Sequence, residues 1–335
     1  MHSGLSVVIP NYNGRSLFPD TIPTVFAALA EIDMPFEIIV ADDCSTDDSL
    51  AFLQAHYPGI RIIKSDANRG FSVNANRGIH AANYDLVFLL NSDVQLDKNY
   101  FQNQFQYFDA PGTFGVMGRI MRWEDDLIQD AAKFPVFHLG KVNTRNYIPD
   151  LKSMPGGIFT MYVSGANALF DKKKFLELGG FNQIFSPFYV EDFDLSLRAW
   201  RLGWKCFYEH RSVCRHKTAA SIKSKTRKEA IRTISIRNKM IFHLIHLSFL
   251  GRIIYLAQTI PEVLVQSVIG KTYYLKAFRQ TIQRWEKIAE ARRRLKQIAK
   301  GKRLLSLKQV VRMIRQPVRH KNIRLFKQPV PNETS

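Results

Sequence analysis

The sequence is short of three things, and each shortage excludes something. It has only three cysteines, Cys44, Cys206 and Cys214, in 335 residues. Their odd number and lack of metal-ligand spacing exclude a disulfide framework and a cysteine-based zinc module, and suit a reducing compartment. No uninterrupted apolar run reaches the roughly 18–20 residues that a membrane-spanning helix needs. The apolar stretch 240–269 is broken by His243, His246, Arg252, Pro261 and Glu262. Acidic residues run out towards the end: residues 217–335 hold 28 Lys/Arg against 5 Glu, a net of +23. Residues 1–216 hold 20 Lys/Arg against 24 Asp/Glu, a net of −4. Two regions with different partners are expected, divided into 1–220 and 221–335. An apolar run begins at Leu5, leaving no room for a signal peptide, so the chemistry is expected in the cytoplasm.

What is present suits a folded chain, with 46% hydrophobic and 12% aromatic residues. The organising stretch is Leu86-Val87-Phe88-Leu89-Leu90, a continuous apolar run of strand length that reads as a strand covered on both faces. It stops at Asn91-Ser92-Asp93. In open α/β sheets ligands bind beyond the carboxyl ends of the strands, so Asp93 is delivered to a ligand's place. Residues 5–9, 36–41 and 61–63 read as further strands, with helices expected over 20–32 and 72–82. The second strand also ends in carboxylates, Asp42 and Asp43, and Ser45 or Thr46 could cap the next helix. Strands alternating with helices imply an α/β fold with a mostly parallel sheet.

Four motifs in order carry a resemblance: Val8-Ile9-Pro10-Asn11-Tyr12-Asn13, Asp42-Asp43-Cys44-Ser45, Asn68-Arg69-Gly70 and Leu90-Asn91-Ser92-Asp93. Together with Val163-Ser164-Gly165-Ala166, Gly179-Gly180-Phe181 and Glu191-Asp192, they resemble family 2 glycosyltransferases, including those of bacterial cell-surface glycans. The likeness extends to about residue 216. It implies the GT-A nucleotide-sugar-binding fold, with a mixed, mostly parallel sheet.

The resemblance also implies roles. Asp43 would accept the imide N–H of uracil or thymine, with Tyr12 beside the base, and Pro10, Asn13, Asn68, Gly70 and Ser92 would complete the nucleotide site. Asp93 matches the family's metal-binding aspartate, and His216 a histidine at the metal or diphosphate. Mg²⁺ or Mn²⁺, hard cations that take carboxylate and phosphate oxygens, would suit that position. Asn91 stands where the full motif has its first aspartate. Asp192 would be the base that takes the acceptor's proton, Glu191 would position acceptor or loop, and Asp194 reads as structural. The stretch from Glu191 to Arg201 reads as a helix stopped at Gly203, which puts these carboxylates at a helix N-terminus. Residues 181–189 read as an acceptor-side loop.

The expected partners are a nucleotide-sugar donor, UDP- or dTDP-linked, and a glycan acceptor carried on a lipid. Residues 285–300 and 304–314 interleave Lys and Arg with apolar residues. Charge alone would serve nucleic acid as well, but the apolar residues favour an anionic membrane surface, so the protein is expected at the inner face of the cell membrane with no nucleic-acid partner. A nucleotidyltransferase and a non-catalytic sugar-nucleotide-binding protein are the rival classes.

Overall fold

The computed structural model describes residues 2–138, 140–154, 156–217 and 225–332. The first half alternates as the apolar runs require: β1 (Leu5–Asn11), α1 (Phe18–Leu29), β2 (Phe36–Asp42), α2 (Ser49–His56), β3 (Arg61–Lys64), α3 (Phe71–Ala81) and β4 (Leu86–Leu90). Then come β5 (Val94–Leu96), β6 (Thr113–Arg122), β7 (Leu127–Asp130), β8 (Ala132–His138), β9 (Lys141–Pro149), β10 (Ile158–Phe159) and β11 (Asn167–Asp171). After them follow α4 (Lys172–Glu177), α5 (Glu191–Arg201) and β12 (Lys205–His216).

Among the described residues the main sheet runs β10-β12-β6-β11-β4-β1-β2-β3. β1 lies parallel to both β2 and β4, with Asn11 opposite Asp42 and Val8 opposite Leu89. The carboxyl ends of β1, β2 and β4 therefore share one edge. β11 runs antiparallel between β4 and β6. Successive residues of the central strands enter different cores: Val7 and Ile9 pack with α1 residues Ile22 and Val25, while Val8 packs with α3 residues Ala75 and Ile79. Such two-sided burial is why these strands read as unbroken apolar runs.

The basic region folds onto the same body. It contains α6 (Lys225–His246), α7 (Phe249–Val268), α8 (Tyr273–Ile282), α9 (Trp285–Ile298), α10 (Leu307–Arg315), β13 (Ile323–Phe326) and β14 (Val330–Pro331). Ile241 and Leu244 of α6, and Val310 and Ile314 of α10, are buried in one cluster with Leu195 and Trp200 of α5. Arg292 Nη1 donates to the carbonyls of Leu244, Ile245 and Leu247 at 2.8, 2.8 and 3.1 Å, a cation at the end of α6 where the helix dipole favours it. β13 pairs with β9 and β14 with β7. The expected boundary at 220 falls in 218–224, outside the described residues, and the apolar core runs across it. Ile288, Leu295, Leu307, Val310, Val311 and Ile314, expected on a membrane-facing surface, are buried instead.

Residues 300–335 are consequently expected to act as structure. Burying a Val, Leu or Ile side chain contributes about 1.5–3 kcal/mol, against a total stability of about 5–15 kcal/mol. Deleting them should give insoluble protein or lower the melting temperature by more than about 10 °C in calorimetry. A shortened chain that melts with the full one would show that α10 and β13 contribute nothing to the core.

Candidate active site

At the ends of β1 and β2 the polar residues are tied to one another. Asn11 Nδ2 donates to Asp42 Oδ1 at 2.8 Å, and the Ser45 N–H donates to Asp42 Oδ2 at 3.0 Å. Asn13 has a positive φ of 54°, and its Oδ1 accepts the N–H of Thr46 at 2.8 Å. Asp43 is 4% exposed and accepts the N–H groups of Arg69, at 3.0 Å, and Gly70, at 2.8 Å. The second-strand carboxylates thus hold the loops around the site. Asn68 and Arg69 face solvent, and Arg69 pairs with Asp66 at 3.0 Å. Gly70 has φ 84°, and a Cβ there would come within 3.1 Å of Pro187. What the backbone closely approaches at Gly70 is therefore the 186–189 loop. Tyr12 is 53% exposed on the rim, and Pro10 is half-buried in β1.

The end of β4 places Asp93. β12 runs antiparallel to β5 with His216 opposite Val94, which sets His216 beside Asp93. His216 Nε2 lies 3.3 Å from Asp93 Oδ2. Asp93 Oδ1 is buried without a hydrogen-bond partner. Gln129 Nε2 sits 3.1 Å from His216 Nδ1, and Gln129 Oε1 is also buried and unpartnered. A half-turn of that amide would accept an Nδ1–H and leave Nε2 as a lone pair beside Asp93, the form a metal requires. Among the described residues no three His, Cys, Asp or Glu side chains converge on one point. The pair nonetheless fits a hard cation completed by substrate oxygens, because an orphaned carboxylate oxygen and an imidazole nitrogen stand together. Ser92 lies beside them, its carbonyl accepting from Thr21 Oγ1 at 2.7 Å.

The third element is the start of α5. Val190 precedes it with φ 77°, turning the chain so that Glu191, Asp192 and Asp194 occupy the first helical turn. Asp194 accepts from Arg198 Nε at 2.8 Å and lies 2.8 Å from His246 Nε2. Burial alone would raise its pKa, but Arg198 and His246 outweigh burial and hold it below the usual carboxylate range. Asp194 thereby joins α5 to α6. Asp192 faces a cavity of about 330 Å³ shared with Glu191, Thr144, Tyr162 and Lys239. Its Oδ1 accepts the Phe193 N–H at 2.7 Å and its Oδ2 the Gly165 N–H at 3.4 Å. Burial raises the Asp192 pKa; these two donors and the charge of Lys133 oppose the rise. Burial likewise pulls Lys133 down to about 7. Glu191 is 7% exposed, its Oε2 is unpartnered, and burial together with the Asp192 charge pushes it up to about 8. The two neighbours differ in kind: Glu191 lacks the backbone donors and the lysine charge that favour ionisation of Asp192.

Two features escape a sequence reading. Lys133 is one of many lysines until the β8–β9 pairing buries it, its ammonium donating to Asp130 and, at 2.8 Å, to Asn146, near enough for its charge to act on Asp192. Asn238, on α6, donates to the carbonyls of Phe185, Phe188 and Tyr189 at 2.6, 2.9 and 2.9 Å, while Arg237 donates to that of Ser186 at 2.6 Å. The loop before Glu191 is therefore held from the basic region.

Glu191 gives a test by stability. Its folded pKa, about 8, lies above the ordinary 4.5, so the stability it contributes is whole below pH 4.5 and is lost as pH rises towards 8. Glu191→Gln should therefore melt increasingly above wild type across that window in calorimetric scans. Parallel melting curves from pH 5 to about 8 would mean that Glu191 is not buried as described.

Comparison with known proteins bears on the fold and the family. Solved structures with a similar fold include GalNAc-T7 with UDP, GalNAc and Mn²⁺, at TM-score 0.68 and 14% identity, covering 95% of this chain and 58% of that one. A mannosyltransferase of Pyrobaculum calidifontis with GDP-Man and Mn²⁺ superposes at TM-score 0.52 and 14% identity, covering 89% of this chain and 85% of that one. These likenesses establish the GT-A fold. In sequence, the O-antigen chain rhamnosyltransferase RfbN of Salmonella typhimurium is 26% identical over 63% of this chain, which spans 66% of RfbN. The undecaprenyl-phosphate 4-deoxy-4-formamido-L-arabinose transferase of Sodalis glossinidius is 35% identical over 27% of this chain, and the match covers 29% of that enzyme. Residues 6–179, more than half of the chain, match the glycosyl transferase family 2 pattern from β1 to the end of α4, and the chain belongs to that family.

Proposed function

We propose that this glycosyltransferase moves a sugar, with inversion, from a UDP- or dTDP-linked donor to a hydroxyl of a growing cell-surface glycan. The observation that carries the reading is one short segment. The Gly165 N–H donates to Asp192, and the next residue, Ala166, accepts the N–H of Asn91 at 3.1 Å. These two bonds tie the start of α5 to the end of β4, which supports reading them as a base and a diphosphate site at a set separation.

In this scheme Asp192 takes the acceptor hydroxyl's proton as that oxygen attacks the anomeric carbon. The charge of Lys133 and the N–H groups of Phe193 and Gly165 favour its ionised form. Glu191, protonated, donates a hydrogen bond towards the acceptor and fixes its approach. Asp93 and His216 would hold a divalent cation, Mg²⁺ or Mn²⁺, which would supply positive charge at the leaving diphosphate. Asp43, while binding the Arg69 and Gly70 amides, would accept an imide N–H on its remaining lone pairs, and Tyr12, Pro10, Asn13, Asn68, Gly70 and Ser92 would border the nucleotide. The name of RfbN, an O-antigen chain transferase, supports a glycan acceptor, and that of the undecaprenyl-phosphate transferase, which matches 27% of this chain, points towards a lipid carrier.

The two carboxylate sites separate in mutants. Asp192→Asn should leave UDP affinity in calorimetry near wild type while transfer falls about 10²–10⁴-fold. Asp93→Asn should weaken Mn²⁺-dependent UDP binding as well as transfer, and Glu191→Gln should cost less than Asp192→Asn. Because the Asp192 pKa is raised, wild-type transfer should decline as pH falls through that raised value. Near-normal transfer by Asp192→Asn would remove it as the base.

A further inference from the structure

We infer that α7 is a membrane-docking helix, lying along an anionic bilayer surface with its axis in the interfacial plane. The observation is an open apolar stripe. Phe249, Ile253, Ile260, Leu264, Val265 and Val268 are all exposed, Val268 to 87%. At about 100° per residue they fall within about 160° of one another around the helix axis, over a length of about 30 Å. Tyr255, Thr259 and Val263, on the opposite side, are buried against the protein. Glu262, at the margin, is paired with Lys141 at 2.7 Å. Water-facing surfaces seldom leave so continuous an apolar stripe open.

Charge decides the occupant. Lys271 follows the helix, Lys276 and Arg279 are exposed on α8, and Arg252 lies 5.6 Å over the Phe249 ring. A second copy would bring the same cations against them, whereas acidic lipid headgroups are attracted, by about 1 kcal/mol per cation near the surface. Among the described residues no helix is long and apolar enough to cross a membrane, and α7 carries Arg252, Pro261 and Glu262. It lies on the bilayer. This places the docking face on α7, while the apolar residues of α9 and α10 serve the core. The turn of the β8–β9 hairpin approaches α7, with the Gly140 Cβ position 3.6 Å from the Gly251 carbonyl, and β9 continues from there to Thr144 in the Glu191–Asp192 cavity. The docked face would therefore stand beside the cavity, although docking itself needs no sugar transfer.

The test uses the full chain and vesicles of phosphatidylcholine with and without phosphatidylglycerol. Wild type should co-sediment with the anionic vesicles, less so as salt rises, and residues 249–268 should gain protection from hydrogen exchange when those vesicles are added. Val268→Glu, and Leu264→Glu with Val268→Glu, should bind at least about tenfold more weakly with an unchanged melting temperature, because these side chains face water. Binding by both variants equal to wild type, or no binding and no protection in wild type, would overturn the inference. So would a wild-type dimer in sedimentation velocity that the substitutions turn into a monomer without any effect on vesicles.

Discussion

The site depends on two backbone hydrogen bonds made by consecutive residues. β11 begins at Asn167, opposite Leu90, so the residues just before it must pass the end of β4. There Ala166 accepts from Asn91, and one residue earlier Gly165 donates to Asp192, while Val163 donates to Ser196 Oγ at 3.2 Å. Antiparallel pairing sets where a strand starts to within one residue, because a slip would turn its side chains to the other face. The separation between the β4 carboxylate and the α5 carboxylates is thereby set by sheet register rather than by a mobile loop. Phe71 packs over Gly165, and Asp43 clamps the residue before Phe71, so the nucleotide side is tied to the same point.

Electrostatics gives the two neighbouring carboxylates different states. Glu191 and Asp192 share one cavity, and two ionised carboxylates that close repel each other. Asp192 has the backbone donors and the nearby Lys133; Glu191 has an oxygen with no partner. Burial raises both, and the backbone donors and Lys133 counter the rise at Asp192, which favours the charge there over Glu191. Asp194, one turn end away from the cavity, is neutralised by Arg198 and His246 and binds α5 to α6. The basic region then completes the site by holding residues 185–189 through Asn238 and Arg237. Its charge and its catalytic support are carried by different side chains of the same helices.

Much of this was legible in residue order. The strand run ending at Asp93, the helix from Glu191 to a stop at Gly203, and the structural Asp194 follow from apolar period and helix-end chemistry, which are local. Other parts were not local. Ser45 and Thr46, suited to cap a helix, instead tie the β1 and β2 loops together, and α2 begins only at Ser49. Asn13 and Asp43, read as ligand contacts, have most of their hydrogen bonding engaged by neighbouring loops. The 285–314 segment shows an apolar pattern whether its partner is lipid or protein; only the packing of α10 against α5 and β8 separates the cases. Lys133 and Gln129 gain their roles from strand pairing across long sequence distances, which no local spacing records.

The central claim is that one carboxylate, Asp192, activates the acceptor for a single displacement at the anomeric carbon. The stereochemistry of the product tests it most directly. With a donor of known anomeric configuration, proton NMR of the first product formed should show the opposite configuration. Retention of the donor's configuration would require a second displacement or front-side attack, and would contradict the assignment of Asp192 as a base.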